Sequence, residues 1–186
     1  MTAPAAMWQA ERNDAAAQRI LDTAEGLYAA NGVDGVTMRA LAAEVGCSRA
    51  TLYRYFPSRE AVQTAFIDRS AARLARRVAD SAPSGTAVDR LVTAVTTALR
   101  MVRETPAFAT WFRADGVATA AQLATVSPVI ETLARNFLSG SDQVPHAEER
   151  ARWLVRVMLS LLTTPGTGVA DEERMLRSFV APVVVG

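Results

Sequence analysis

The sequence predicts an all-α protein, and three observations carry that prediction. Alanine and other helix-favouring residues dominate, while β-branched clusters bounded by turn residues are few. Apolar residues recur at helical spacing through most of the chain. The breaks in that spacing fall on Gly, Pro, Asn and Ser, which end and restart helices. Half of the 186 residues are hydrophobic, enough to bury a sizeable core.

The elements follow in order. Residues 1 to about 12 read as a loosely ordered arm, with small residues, Pro4 and no period. Asn13 or Asp14 can cap a first helix whose apolar side is Ile20, Leu21, Ala24, Leu27 and Tyr28. Asn31-Gly32 ends it, and Val33 to Val36 form a connector. Thr37 caps a second helix with Met38, Leu41, Ala42 and Val45 on one side, stopped by Gly46. Ser48 caps a third, short helix carrying Leu52 and Phe56 inward. Pro57-Ser58 breaks the chain, and a long fourth helix is expected from Arg59 to about Asp80. After the composition break at Pro83-Ser84-Gly85, helical spacing returns at 86–104, 106–114, 118–138, 145–163 and 170–181, interrupted at Pro106, Gly116, Ser139-Gly140 and Pro165-Gly166.

Composition excludes several function classes. The single Cys47 leaves no intrachain disulfide or cysteine-based zinc site, and the single His146 leaves no histidine cluster. No cofactor is expected. No long uncharged apolar window and no secretory leader pattern are present, so no membrane partner is expected and a cytoplasmic location is the default. Net charge is +1, with arginine supplying all 20 basic residues, so affinity for nucleic acid has to come from local charge. That concentration exists: between Val36 and Arg59, Arg39, Arg49, Arg54 and Arg59 face one acid, Glu44.

The same stretch has the residue types of two short helices crossing at a tight turn. Ala42, four residues before Gly46, leaves room for the partner helix, and Gly46 supplies the positive φ of the turn. Leu41, Val45, Cys47, Leu52 and Phe56 can form the shared core. Arginine, hydroxyl and tyrosine side chains then lie on a short exposed helix, suited to phosphates and base edges in a major groove. For Tyr53 and Tyr55 the role of half-buried prop stays open beside DNA contact. For Cys47 a small packed side chain and a redox sensor are both open.

The run "VTMRALAAEVGCSRATLYRYFPSREAV", preceded by "ILDTAEGLYAANGVDGVT", resembles the DNA-binding region of TetR-type transcription regulators over roughly residues 14–75. The aromatic, Phe56-Pro57 and basic-acidic continuation makes this more specific than a helix-turn-helix alone. The resemblance implies that Thr37 caps the second helix and touches phosphate, that Ser48, Arg49, Thr51, Tyr53 and Tyr55 face DNA, and that Arg59 holds a phosphate. Arg39, Ala50 and Arg54 complete the expected DNA-facing set. Ala50 stands where the family commonly has glycine, Tyr55 where it has histidine and Arg59 where it has lysine, departures that bear on operator sequence.

The resemblance also implies a division into a helix-turn-helix domain at 13–57, a connecting helix at 58–82 and an effector-binding and dimerisation domain at 83–186. Leu99, Val102, Phe108, Trp111, Phe112, Leu133 and Phe137 are the expected effector-pocket residues, although any of them can equally fill a core. Arg103, Arg113 and Arg135 are open either to an anionic ligand end or to solvent. The last two helices carry more apolar surface than one chain needs, and Trp153, Leu154, Val157, Met158, Leu161, Met175, Leu176 and Phe179 are the expected homodimer interface. A two-fold dimer sets its reading helices about 34–36 Å apart, the spacing of successive major grooves. The expected partners are thus double-stranded operator DNA, a second copy and a small hydrophobic or amphipathic effector that releases a repressor. A ligand-responsive activator, or a DNA-binding dimer without an effector, is the alternative.

Catalysis is not expected. No Ser-His-Asp set can be assembled around His146, and Pro165-Gly166-Thr167-Gly168 lacks a phosphate-loop continuation. Glu148-Glu149 and Asp171-Glu172-Glu173 read as acids favoured at helix starts.

Overall fold

The computed structural model describes residues 3–81, 84–112, 127–138 and 146–186, with backbone alone for residues 3–12. The expected breaks at Gly116 and Ser139-Gly140, residues 118–126 of the expected 118–138 helix, and Arg113 lie outside them. The helices are α1 (Ala3–Asn31), α2 (Met38–Val45), α3 (Arg49–Tyr55), α4 (Arg59–Asp80), α5 (Ala87–Glu104), α6 (Pro106–Ala109, running into a 3₁₀ turn Thr110–Phe112), α7 (Pro128–Leu138) and α8 (Ala147–Thr163). A C-terminal arm follows: α9 (Val169–Met175), a π-helical turn Leu176–Val180 and α10 (Ala181–Val184). The fold is all-α, with no strand among the described residues.

Two boundaries differ from the sequence reading. The first helix begins at Ala3, so Asn13 and Asp14 lie inside it and do not cap it. Pro4 in the first turn removes an N–H that has no intrahelical partner there, and the alanine-rich stretch that follows sustains a helix without an apolar period. The arm runs on to Val184, beyond the expected end. Its widened turn sits just before Pro182, whose ring lacks an N–H and crowds the carbonyl four residues upstream, a strain that a π turn relieves.

The first core forms where α1, α2, α3 and α4 meet. Ile20, Leu21, Ala24 and Tyr28 of α1 pack with Leu41, Leu52, Phe56, Val62 and Phe66. Ala107 and Trp111 from α6 join this same core. Tyr28 meets Phe66 and Trp111 edge-on at ring-centroid distances of 5.1 and 5.5 Å. Burial drives the Tyr28 hydroxyl pKa up to about 12, against a smaller opposing effect of Arg59, so it stays protonated at any physiological pH.

A second core joins α5, α7, α8 and the arm through Leu91, Val95, Leu99, Leu138, Leu154, Leu161, Leu176 and Val184. Polar bonds fasten the layers at their ends. Arg69 of α4, its side chain almost fully buried, bonds Asp22 at 2.6 Å and Glu25 at 3.0 Å on α1. Ser127 donates to Asp68 of α4 at 2.6 Å and accepts from the Ile130 N–H, capping α7 against the long helix. Thr86 and Asp89 form a reciprocal capping box at the start of α5, and Arg177 of the arm bonds Asp89 at 2.7 Å.

Candidate nucleic-acid interface and apolar cavity

Local chemistry assembles the helix-turn-helix. Thr37, in extended backbone, accepts from the Ala40 N–H at 3.1 Å and starts α2. Gly46 ends it at φ 75°, where a β-carbon would be strained, and the Cys47 N–H bonds back to the Ala42 carbonyl at 3.0 Å. Ala42 is 3% exposed, so the close crossing depends on its small side chain. Ser48 then accepts from the Thr51 N–H at 3.1 Å and shares a 2.9 Å bond with the Thr51 hydroxyl, starting α3.

Leu52 and Phe56 hold the inner side of α3 in the core, which turns Ser48, Arg49, Ala50, Tyr53 and Arg54 outward. Arg49 lies over the Tyr53 ring at 5.9 Å, and Arg54 over Tyr55 at 5.3 Å. The two tyrosines are not equivalent: Tyr53 is exposed, whereas Tyr55 is half-buried against the core. Thr51 is half-buried through its bond to Ser48. Arg39 on α2 is exposed and has no ion pair among the described residues. Cys47 is half-buried against the core.

Arg59 differs from a free phosphate clamp. Its guanidinium bonds the Asp34 carboxylate at 2.8 Å and reaches the Val33 carbonyl at 3.4 Å, tying the start of α4 to the α1–α2 connector. Sequence spacing gave no sign of this pairing, because the partners are far apart in the chain.

Behind this region lies a cavity of about 450 Å³ between α4, α5, α6, α7 and α8. Of the expected pocket residues, Val102, Phe108, Phe112, Leu133 and Phe137 line it. Leu99 and Trp111 do not: Leu99 is fully buried in the second core, and Trp111 in the first. Periodicity puts all seven on apolar faces without saying which face meets a void. Ile67, Leu74 and Val78 of α4 also line the cavity, at positions that helical spacing along α4 would have placed on one side. Asn136, on the exposed rim, is the one lining residue with a polar side chain among the described residues.

The expected interface residues divide in the same way. Trp153, Met175 and Phe179 are exposed, Phe179 at 74%, and Val183 adds to that apolar surface. Leu154, Leu161 and Leu176 are buried within the chain, and Leu154 and Met158 border the cavity. Val157 is half-buried against the second core. Helix α8 faces inward more than its apolar residues alone suggested, because the arm packs back over it.

Of the arginines open to an anionic ligand, Arg103 and Arg135 have partners. Arg103 bonds both oxygens of Glu172, at 2.9 and 2.7 Å, and the Leu161 carbonyl at 2.8 Å. Glu172 is 4% exposed and also accepts from the Gly166 N–H at 3.1 Å. The Arg103 guanidinium, opposed by burial, holds the Glu172 carboxyl below the usual carboxylate range. Glu172 is therefore a buried ion-pair partner, beyond the helix-start acid the sequence suggested. Arg135 bonds Glu148 at 3.3 Å. Among the described residues no helix is long and apolar enough to cross a membrane.

Residues 20–65, spanning the end of α1 through the start of α4, match the sequence-family model described as bacterial regulatory proteins, tetR family. An uncharacterized HTH-type transcriptional regulator of Mycobacterium tuberculosis is 44% identical over 181 residues, covering 94% of this chain and 88% of the relative. The crystal structure of RolR in complex with resorcinol aligns at TM-score 0.72 and 16% identity, covering 95% of this chain and 90% of that one. The TetR-family repressor QsdR of R. erythropolis aligns at TM-score 0.69 and 20% identity, covering 92% and 95%. At such identities the two structures speak for the fold. The sequence relationship across most of both chains and the helix-turn-helix on α2 and α3 together make this chain a member of the TetR family, a DNA-binding transcriptional regulator.

Proposed function

We propose that the protein is a homodimeric repressor that reads a palindromic operator with α3 and is released by a small apolar or amphipathic effector. In this reading residues 13–57 are the DNA-binding head, 58–82 the connecting helix and 83–186 the effector-binding and dimerisation body. The observation that carries it is the outward row Arg49, Tyr53 and Arg54 on a helix whose other side is fixed in the core. With Arg39 and the capped N-terminus of α3, that row offers charge-assisted donors to phosphates and base edges.

The effector half rests on the apolar cavity, whose volume falls within the ~300–1,000 Å³ typical of small-molecule sites. RolR, of similar fold, holds resorcinol in its crystal structure. Helix α4 supplies both a wall of the cavity and, at its start, the Arg59–Asp34 contact with the head, so a ligand that shifts α4 would move the reading helix. The dimer half rests on the exposed Trp153, Met175, Phe179 and Val183, which a two-fold pairing would cover. The test is operator affinity with and without a cavity ligand. Release of DNA at saturating ligand supports a repressor with that inducer, and unchanged or tightened binding removes that mechanism.

A further inference from the structure

A second cleft, of about 380 Å³, lies beside the apolar cavity at the junction of α1, α4 and α5. Leu74, Val102 and Phe108 line both spaces, so the partition between them is one side chain thick. The two are opposite in chemistry. Among the described residues no charged side chain lines the first, whereas Arg73, Arg76 and Arg77 line the second with Glu25 and Asp80.

The arginines of α4 are also in two conditions. Arg69 and Arg73 are engaged by Asp22 and Glu25 of α1. Arg76 and Arg77, one turn further on, are exposed, and their side chains have neither hydrogen bond nor ion pair among the described residues. An exposed arginine is ordinary on a convex surface, where water satisfies it. These two line a concavity whose inner wall is apolar, a setting in which an oxyanion gains more from a guanidinium than it does in open water.

We infer that the effector is an amphipathic anion, its apolar chain filling the larger cavity and its carboxylate- or phosphate-type head held by Arg76 and Arg77. This rests on reading the larger cavity as the effector site. It also supplies a route to the head domain. An oxyanion in the cleft competes with Glu25 for Arg73, whose ion pairs with Glu25 at 3.1 Å and Asp22 at 3.6 Å help to hold α1 on α4.

The test is calorimetric titration of the full chain with dodecanoate and with dodecanol, both below their aggregation limits, followed by competition between them. Dodecanoate is expected to bind at least about tenfold more tightly, ~1.4 kcal/mol of charge-assisted bonding. The double change Arg76→Gln and Arg77→Gln is expected to bring dodecanoate down to the dodecanol level while leaving dodecanol unchanged. Mutual competition would place both chains in one cavity. Dodecanol binding as tightly as dodecanoate, or dodecanoate binding that ignores the two arginines, would overturn the anionic head but leave an effector cavity for neutral molecules. Binding of neither ligand would overturn both readings.

Discussion

Phe66 of α4 lies nearly parallel to Trp111 of the 3₁₀ turn after α6, with ring centroids 5.9 Å apart and an interplanar angle of 11°. Both rings are fully buried, and Phe66 also meets Phe108 at 5.7 Å, itself a wall of the apolar cavity. One aromatic cluster therefore joins the DNA-binding core to the cavity. Trp111→Ala removes a fully buried ring from it and should cost about 3–5 kcal/mol of stability. Thermal or urea unfolding measures this. A loss below about 1 kcal/mol would mean that Trp111 is not a member of the core.

The Arg103–Glu172 pair closes the far end of the molecule, linking α5, the last turn of α8 and the arm. Glu172→Gln should destabilise by about 2–3 kcal/mol, less than for a fully buried pair because a third of Arg103 is exposed. The sign of the pH dependence follows from the lowered carboxyl pKa. The pair contributes fully above the unfolded value of ~4.3 and its contribution fades as pH falls through the folded value. Unfolding midpoints of wild type and Glu172→Gln should therefore converge as pH drops from about 5 to 3. Parallel lines over that range would remove the ion pair as the cause.

Asp34 occupies the Arg59 guanidinium, so a phosphate at that position would compete with it for the same donors. If Arg59 clamps phosphate in the operator complex, Asp34→Ala should tighten binding severalfold. Arg59→Ala should weaken it and flatten the salt slope by about 0.9. Binding titrations at several salt concentrations check both. An unchanged slope for Arg59→Ala would confine Arg59 to joining α4 to the connector.

Phe179 is the most exposed large apolar side chain of the arm, so its replacement leaves the chain's own core intact. If this face pairs two copies, Phe179→Glu should shift the protein from dimer to monomer in sedimentation and weaken operator binding with it, while the melting of the single chain changes little. A dimer that persists would move the interface away from this face.

The helix-turn-helix was legible because its determinants are local. Thr37, Gly46 and Ser48 act within a few residues of themselves, and Leu52 and Phe56 mark the inner face by period alone. What needed tertiary packing was not legible. Leu99 and Phe112 look alike as apolar helical residues, yet one is core and the other cavity wall. The Asp34–Arg59 and Arg103–Glu172 pairs join residues remote in sequence, and a buried Glu172 has the same local signature as a solvated acid at a helix start. The start of α1 escaped for a different reason. Its alanine-rich opening has helix propensity but no apolar stripe to announce a helix.

Selection from a random duplex pool by the purified protein asks whether α3 reads operator DNA. If it does, the pool yields a palindromic consensus bound by two subunits, with Arg49→Ala or Tyr53→Phe costing about 1–3 kcal/mol and relaxing preference at particular base pairs. Recovery of no consensus, or of salt-sensitive binding indifferent to sequence and unaffected by either change, would contradict it.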